Sequence, residues 1–131
     1  MKKILVVDDE PQIVSYIIRN LVKNNYIAIG CYDGYKAIEM AHKEVPDLII
    51  MDYKLSAGSG LNAYKGLKTS AITASVPVIF ISAYPLEKVK KEVMDLGAVA
   101  FFTKPFETEE FIACINNFFK NQDKSNSPEK T

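Results

Sequence analysis

The chain has 131 residues, of which 48% are apolar and 24% charged, the composition of an ordinary globular domain. Lysine and arginine together number 16, as do aspartate and glutamate, so the formal net charge is zero. Nucleic-acid-binding domains usually carry a basic excess, and we therefore expect no direct contact with nucleic acid. Cys31 and Cys114 lie in apolar patterns and are interpreted as buried free thiols.

No apolar run in the sequence approaches the length needed to cross a membrane. Met1-Lys2-Lys3 leads into an apolar run of four residues, which is too short for a signal peptide. We therefore expect a cytoplasmic protein without membrane association.

Strand and helix signals alternate along the chain. Short apolar runs, rich in β-branched residues, predict strands at 4–7, 26–31, 48–51, 78–81 and 99–102. Pro11 indicates the start of the first helix, which Asp9 or Glu10 can cap. Asn24-Asn25 ends that helix, and a short amphipathic second helix covers Ala37 to Ala41.

The last three helices are predicted in the same way. The third begins near Leu61, after a glycine-containing loop, and the fourth runs from Pro85 to a stop at Gly97. The inward residues of the fourth helix are predicted to be Leu86, Val89, Val93 and Leu96. Those of the fifth are predicted to be Phe111, Ile112, Ile115, Phe118 and Phe119.

Five strand–helix repeats predict an α/β fold with a doubly wound, five-stranded parallel sheet. Right-handed crossovers favour the flavodoxin-like strand order 2-1-3-4-5, with five helices distributed over both faces. Residues 1–120 would form this domain. Residues 121–131 are polar and aperiodic, which predicts a disordered tail or the start of a linker.

Four of the predicted strands end on polar residues that share one edge of such a sheet. Asp8 and Asp9 follow the first strand, Asp52 the third, Ser82 the fourth, and Lys104 the fifth. Ligands of doubly wound folds bind at the carboxyl ends of the strands, where the winding reverses. We therefore expect these side chains to line one pocket.

Acidic residues in such a pocket favour cation binding. Two carboxylates about 6 Å apart repel by roughly 2–3 kcal/mol at an effective dielectric near 20, so either a pKa rises or a cation binds. Oxygen ligands without clustered His or Cys are typical of Mg²⁺. Asp52 can also act as a nucleophile and become an acyl phosphate. The pocket thus predicts phosphoryl transfer with Mg²⁺.

These residues, in this order, resemble the receiver domain of bacterial two-component response regulators, over residues 3 to about 120. The matching motifs are Val7-Asp8-Asp9-Glu10, Asp52, Gly60, Ser82-Ala83, Gly97-Ala98 and Thr103-Lys104-Pro105-Phe106. The resemblance implies a phosphorylation-activated signalling domain rather than an enzyme, although it assists its own phosphorylation and dephosphorylation.

The resemblance also implies a role for each site residue. Asp52 would be the phosphoacceptor for a sensor histidine kinase or histidine phosphotransfer protein. The implied Mg²⁺ ligands are Asp9 and Asp52 directly, Asp8 mainly through water, and the backbone carbonyl of Lys54. The implied phosphoryl-binding groups are Ser82, the backbone of Ala83, and Lys104. The bond from Lys104 to Pro105 would be cis.

Ser82 and Phe101 are the implied switch residues. They would change the surface formed by the fourth helix, fifth strand and fifth helix, which an output domain or a downstream protein would read. The chain departs from the family at Ser56, where Pro is usual. Lys54 and Tyr84 are predicted to border the site and to alter the rate of phosphoryl loss.

Other functions are less well supported. A haloacid-dehalogenase-type phosphatase needs a second Asp two residues after the nucleophile, where this chain has Lys54. A nucleotide-binding domain would need a Walker loop, and a flavodoxin a hydroxyl-rich loop after the first strand; neither motif occurs. A phosphorylation-independent pseudo-receiver that only docks proteins is the main alternative. The sequence leaves open a stand-alone receiver or a fragment of a longer regulator.

Overall fold

A computed structural model describes residues 1–55, 57–83 and 87–125, with side chains up to residue 123. The strands are β1 (Lys3–Val7), β2 (Ile27–Cys31), β3 (Leu48–Asp52), β4 (Val78–Ser82) and β5 (Ala100–Thr103). The helices are α1 (Pro11–Lys23), α2 (Gly34–Glu44), α3 (Gly60–Lys68), α4 (Glu87–Asp95) and α5 (Thr108–Ser125). The predictions made for Ser56, Tyr84, Pro85 and Leu86 lie outside the described residues.

The strands form one sheet in the order β2-β1-β3-β4-β5, and every neighbouring pair is parallel. This confirms the predicted order 2-1-3-4-5. The register places Val7 beside Met51, Asp52 beside Ile81, and Ser82 beside Thr103. Because the strands run in one direction, their carboxyl ends meet at one edge, where the candidate site lies.

Alternate residues of the central strands enter two separate cores. Leu5 and Val7 face the side covered by α2, α3 and α4, whereas Ile4 and Val6 face α1 and α5. All five residues of β3 and of β4 are buried. Burial on both faces explains why these strands appear in the sequence as continuous apolar runs rather than as alternating patterns.

Local signals account for several helix ends. Gly97 follows α4 with φ of +104°, a conformation that favours glycine, as predicted for a helix stop. Ser59 caps α3 by accepting a hydrogen bond from the Asn62 amide at 3.1 Å. The predicted cap of α1 is wrong for Glu10, because this N-cap residue makes no side-chain capping bond.

Other predictions from the sequence are corrected. Leu96, predicted to face inward, is 44% exposed, because α4 buries only the line of contact around Val93. Helix α5 continues to Ser125, so the segment predicted as a tail begins as helix. Lys2 contacts these last turns, with its ammonium 3.6 Å from Asp123 and 5.6 Å from the ring centre of Phe119. Within the described ranges, no helix combines the length and apolarity needed to span a membrane.

Candidate functional site

Lys104 joins two of the predicted acidic residues at the carboxyl edge of the sheet. Its ammonium donates hydrogen bonds to Asp8 Oδ2 at 2.9 Å and to Asp52 Oδ2 at 3.2 Å. These three residues follow or end β1, β3 and β5, and are therefore assembled by the parallel order of the strands. The sequence predicted that these side chains share a pocket, and the geometry agrees.

Both carboxylates are almost completely removed from solvent, Asp8 being 0% and Asp52 5% exposed. Buried charges are costly unless they are paired and hydrogen-bonded. Besides Lys104, each carboxylate has a backbone donor: the Glu10 amide donates to Asp8 Oδ1 at 3.0 Å, and the Lys54 amide donates to Asp52 Oδ1 at 3.2 Å. The two buried acids are thus held in fixed orientations.

The electrostatics of the site leave Asp52 close to its titration range. Burial, followed by repulsion from Asp8, raises the pKa of Asp52 from 3.8 to about 6, although Lys104 and the Lys54 amide act in the opposite direction. For Lys104, burial alone would lower the pKa of the ammonium. Its hydrogen bond to Asp8 and the two negative charges outweigh burial, so the pKa is raised. The lysine therefore stays charged and only partly neutralises the acids.

Asp8, Asp9 and Glu10 form a compact acidic cluster, with one ligand atom from each within 4.8 Å of the others. Such hard oxygen donors fit Mg²⁺, and a divalent cation would relieve the negative charge that a single lysine leaves. From the sequence, Glu10 was predicted as a possible helix cap and as part of the motif Val7-Asp8-Asp9-Glu10, but not as a metal ligand. The run of three consecutive acids was the signal that could have placed it in the cluster.

An open cavity of about 310 Å³ adjoins the cluster. Its lining residues are Asp9, Glu10, Asp52, Lys54, Leu55, Ala83 and Lys104. Asp52 and Asp9 therefore face the same space. A small anion such as a phosphoryl group could enter this cavity and meet both the Asp52 carboxylate and the Lys104 ammonium.

The remaining predicted site residues also lie near this edge. Ser82 is buried at the end of β4, and its carbonyl accepts a hydrogen bond from the Lys104 amide at 2.7 Å. Phe101 is half-buried on the face covered by α2, α3 and α4, beside its strand partner Phe80. The peptide bond between Lys104 and Pro105 is cis.

Comparison with known proteins identifies the family. The sequence model of the response regulator receiver domain matches residues 4–116. The chain belongs to this family. It is 34% identical over 114 residues to the phosphate regulon transcriptional regulatory protein PhoB of Klebsiella pneumoniae, covering 87% of this chain and 50% of that protein. The receiver thus spans about half the length of the curated relatives it matches.

Solved structures agree with this assignment. A response regulator from Desulfuromonas acetoxidans superimposes with a TM-score of 0.84 at 28% identity, covering 92% of this chain and 98% of the other. The receiver domain of the Francisella response regulator 1452 gives a TM-score of 0.85 at 28% identity, with coverages of 93% and 99%. The chain is therefore a regulatory receiver domain of two-component signal transduction.

Proposed function

We propose that this receiver is switched by transfer of a phosphoryl group onto Asp52, with Mg²⁺, from a sensor histidine kinase or a histidine phosphotransfer protein. One observation carries the proposal. Lys104 hydrogen-bonds both Asp8 and Asp52 at the base of an acidic cavity, and of these two carboxylates Asp52 is the one that lines the cavity. Of the two acids that pair with Lys104, Asp52 is therefore the one that an incoming phosphoryl group can reach.

Asp52 also has a suitable protonation state. With a pKa of about 6, most of its carboxylate is ionised at neutral pH, as a nucleophile must be. In the transfer step, a carboxylate oxygen bonds to phosphorus while the phosphorus–nitrogen bond of the donor phosphohistidine breaks. The imidazole nitrogen keeps that electron pair, so no other reactant is needed.

The cation would be held by Asp9 and Asp52, by the backbone carbonyl of Lys54, and through water by Asp8. Glu10 belongs to the same cluster and is available as a further oxygen donor. Bound Mg²⁺ would supply positive charge that offsets the carboxylates and the developing charge on the phosphoryl oxygens.

Three groups of the chain would hold the phosphoryl oxygens: the Lys104 ammonium, the Ser82 hydroxyl and the backbone of Ala83. Lys104 is already in place at the cavity, and Ala83 lines it. Lys54 lines the same cavity. We expect it, together with Tyr84, to change the rate at which the phosphoryl group is lost.

Phosphorylation adds about −1.5 to −2 charges to this edge. Ser82 would move toward the new charge and leave space for Phe101 to turn inward, changing the surface of α4, β5 and α5. Because a phenyl ring has no hydroxyl, this signal would be read through packing. The reader would be an output domain or a downstream protein in the cytoplasm, and the receiver itself would act as a regulator rather than an enzyme.

Incubation with Mg²⁺ and acetyl phosphate, followed by measurement of the intact mass, tests this function. We expect a gain of one phosphoryl group in the wild type and none in Asp52→Asn. Thr69→Ala, in which a hydroxyl is lost from the far end of α3, serves as a control that should be phosphorylated normally. No gain in the wild type, with Mg²⁺ shown to bind, would favour the docking-only alternative.

A further inference from the structure

Helix α4 is attached to the domain by few contacts. Among its described residues, Glu87 to Asp95, Val93 is the one that is buried, and Val89 is half-buried. The other side chains of the helix are exposed. Since burial of apolar side chains supplies most of the free energy that docks a helix, individual polar contacts have a large influence on the position of α4.

Two tyrosine hydroxyls provide such contacts. Tyr53 donates a hydrogen bond to Glu92 Oε1 at 2.8 Å, and Tyr64 donates one to the carbonyl of Leu96 at 2.9 Å. Glu92 and Leu96 are one helical turn apart, so the two tyrosines hold the same end of α4. Of the two, Tyr53 is adjacent in sequence to the proposed phosphoacceptor.

Tyr53 is itself fixed to the edge of the sheet. Its amide donates to the Ile81 carbonyl at 2.8 Å, and its carbonyl accepts from the Gly60 amide at 3.1 Å. Its ring packs edge-on against the buried Phe80, with 6.1 Å between ring centres. The hydrogen bond to Glu92, followed by burial, raises the pKa of the Tyr53 hydroxyl, which therefore remains a donor at neutral pH.

We propose that the hydrogen bond from Tyr53 to Glu92 tethers α4 to the phosphoacceptor strand and holds this helix in its unphosphorylated position. The inference rests on the proposed function. Strand β4 ends at Ser82 and the chain then leads to α4, which begins at Glu87. A movement of Ser82 toward a phosphoryl group would therefore displace α4. The tether opposes that movement, because Tyr53 stays anchored to β4 and α3.

Linkage makes this tether measurable. If the bond exists before phosphorylation and is lost after it, removing the hydroxyl lowers the free energy required for switching. The probe is beryllofluoride with Mg²⁺, a noncovalent mimic of the phosphoryl group. We expect Tyr53→Phe to bind the mimic about two- to twelvefold more tightly than the wild type, the range that corresponds to the net contribution of one hydrogen bond. We also expect faster amide hydrogen exchange over residues 87–95 without the mimic.

Variants of Glu92, which accepts the hydrogen bond from Tyr53, distinguish the effect of the hydrogen bond from the effect of the negative charge. Glu92→Gln keeps an acceptor oxygen and should behave like the wild type, whereas Glu92→Ala should match Tyr53→Phe. The double variant of Tyr53→Phe with Glu92→Ala should show no more than either single change, because both remove the same bond. Tyr26→Phe removes a hydroxyl bonded to Asn116 on the opposite face and should change neither readout.

The outcomes distinguish this inference from the proposed function. If the wild type binds the mimic and Tyr53→Phe binds it with the same affinity, the tether is contradicted while the proposed function stands. The same holds if the effects of Tyr53→Phe and Glu92→Ala add fully in the double variant. If the wild type takes up neither phosphoryl group nor mimic, both fail. Tighter binding by Tyr53→Phe and Glu92→Ala, with Glu92→Gln unchanged, supports the tether.

Discussion

The Lys104 ammonium lies 3.2 Å from Asp52 Oδ2, although these residues belong to the ends of two strands that have β4 between them. The same ammonium reaches Asp8, beyond β3. One lysine thus spans most of the sheet edge and neutralises part of the buried acidic charge before any phosphoryl group arrives. Because Lys104 pairs with both acids, replacing it tests how much its positive charge stabilises the two buried carboxylates.

Lys104→Met should destabilise the receiver, and more so at high pH. Without the ammonium, Asp8 and Asp52 face each other in a buried site, which should lower the free energy of unfolding by about 2–4 kcal/mol at pH 8. Because Lys104 lowers the pKa of Asp52, the pKa rises further in the variant. Asp52 then takes up a proton as the pH falls, and the loss should be smaller at pH 5. Urea unfolding measures both values.

Lys91→Met is the matched control for that variant. Lys91 also pairs with an acid, Asp95 at 3.1 Å, but both side chains are exposed. Exposed ion pairs contribute about 0–1 kcal/mol, so the change should be small and independent of pH. An equal loss in the two lysine variants would contradict the role of burial at Lys104.

Neutralising Asp52, the proposed phosphoacceptor, should stabilise the receiver in the absence of Mg²⁺. The pKa of Asp52 is raised from 3.8 to about 6 in the folded chain, so the folded state binds this proton more tightly than the unfolded state does. The resulting stability is fully present below pH 3.8 and is lost as the pH rises through 6. Asp52→Asn should therefore exceed the wild type by about 1–3 kcal/mol at pH 8, and by little at pH 4.

Chemical unfolding in EDTA at the two pH values measures this difference. Asp95→Asn, which removes an exposed carboxylate of α4, is the control. It should change the free energy of unfolding by a similar small amount at both pH values. If the wild type is as stable as Asp52→Asn at pH 8, then burial does not raise the free energy of the ionised Asp52 carboxylate, and the prediction is contradicted.

Much of the fold could be predicted because burial leaves a direct signature in the sequence. Runs such as Leu48 to Met51 are continuous and apolar since both faces of β3 are covered. Parallel strands then fix which residues share an edge, which is why Asp52 and Lys104 could be placed in one pocket from the sequence. The helix stop at Gly97 could be predicted because glycine is favoured where the backbone has a positive φ, as it does at this residue.

Other features depend on contacts that no local pattern records. Leu96 has helical spacing with Val93, yet it is exposed because α4 touches the core along a narrow line. The last turns of α5 are contacted by Lys2, a residue from the other end of the chain, and no local pattern predicts that contact. The pairing of Lys104 with Asp8 was likewise not predicted, since the sequence assigned the lysine only to phosphoryl oxygens.

Gly60 should tolerate no side chain. A Cβ added there would lie 2.0 Å from the backbone oxygen of Asp52, whereas one added at Gly66 would meet the flexible end of Ile38 at 3.1 Å. Gly60→Ala must therefore move α3 or the end of β3, and should lower the free energy of unfolding by about 2 kcal/mol or more. Gly66→Ala lies inside α3, where alanine is favoured, and should be neutral or stabilising. Thermal unfolding that ranks the two variants in the opposite order would contradict the close approach.

Mg²⁺ should stabilise the receiver through the acidic cluster. At a concentration one hundred times its dissociation constant, a ligand of the folded state adds about 2.7 kcal/mol to the free energy of unfolding. We expect the rise in Tm on adding Mg²⁺ to be largely lost in Asp9→Asn, because a direct ligand is removed. Lys54→Ala should keep the rise, since the backbone carbonyl is proposed as the ligand there. Loss in Lys54→Ala with retention in Asp9→Asn would reject this ligand set.

The most direct measurement is the position of the phosphoryl group in the chain. Receiver treated with acetyl phosphate and Mg²⁺ is reduced with borohydride, which converts an aspartyl phosphate to homoserine, and the peptides are then sequenced by mass spectrometry. We predict homoserine at position 52, dependent on Mg²⁺. Homoserine at position 8 or 9, or a phosphoryl group on a side chain outside this edge of the sheet, would contradict Asp52 as the acceptor.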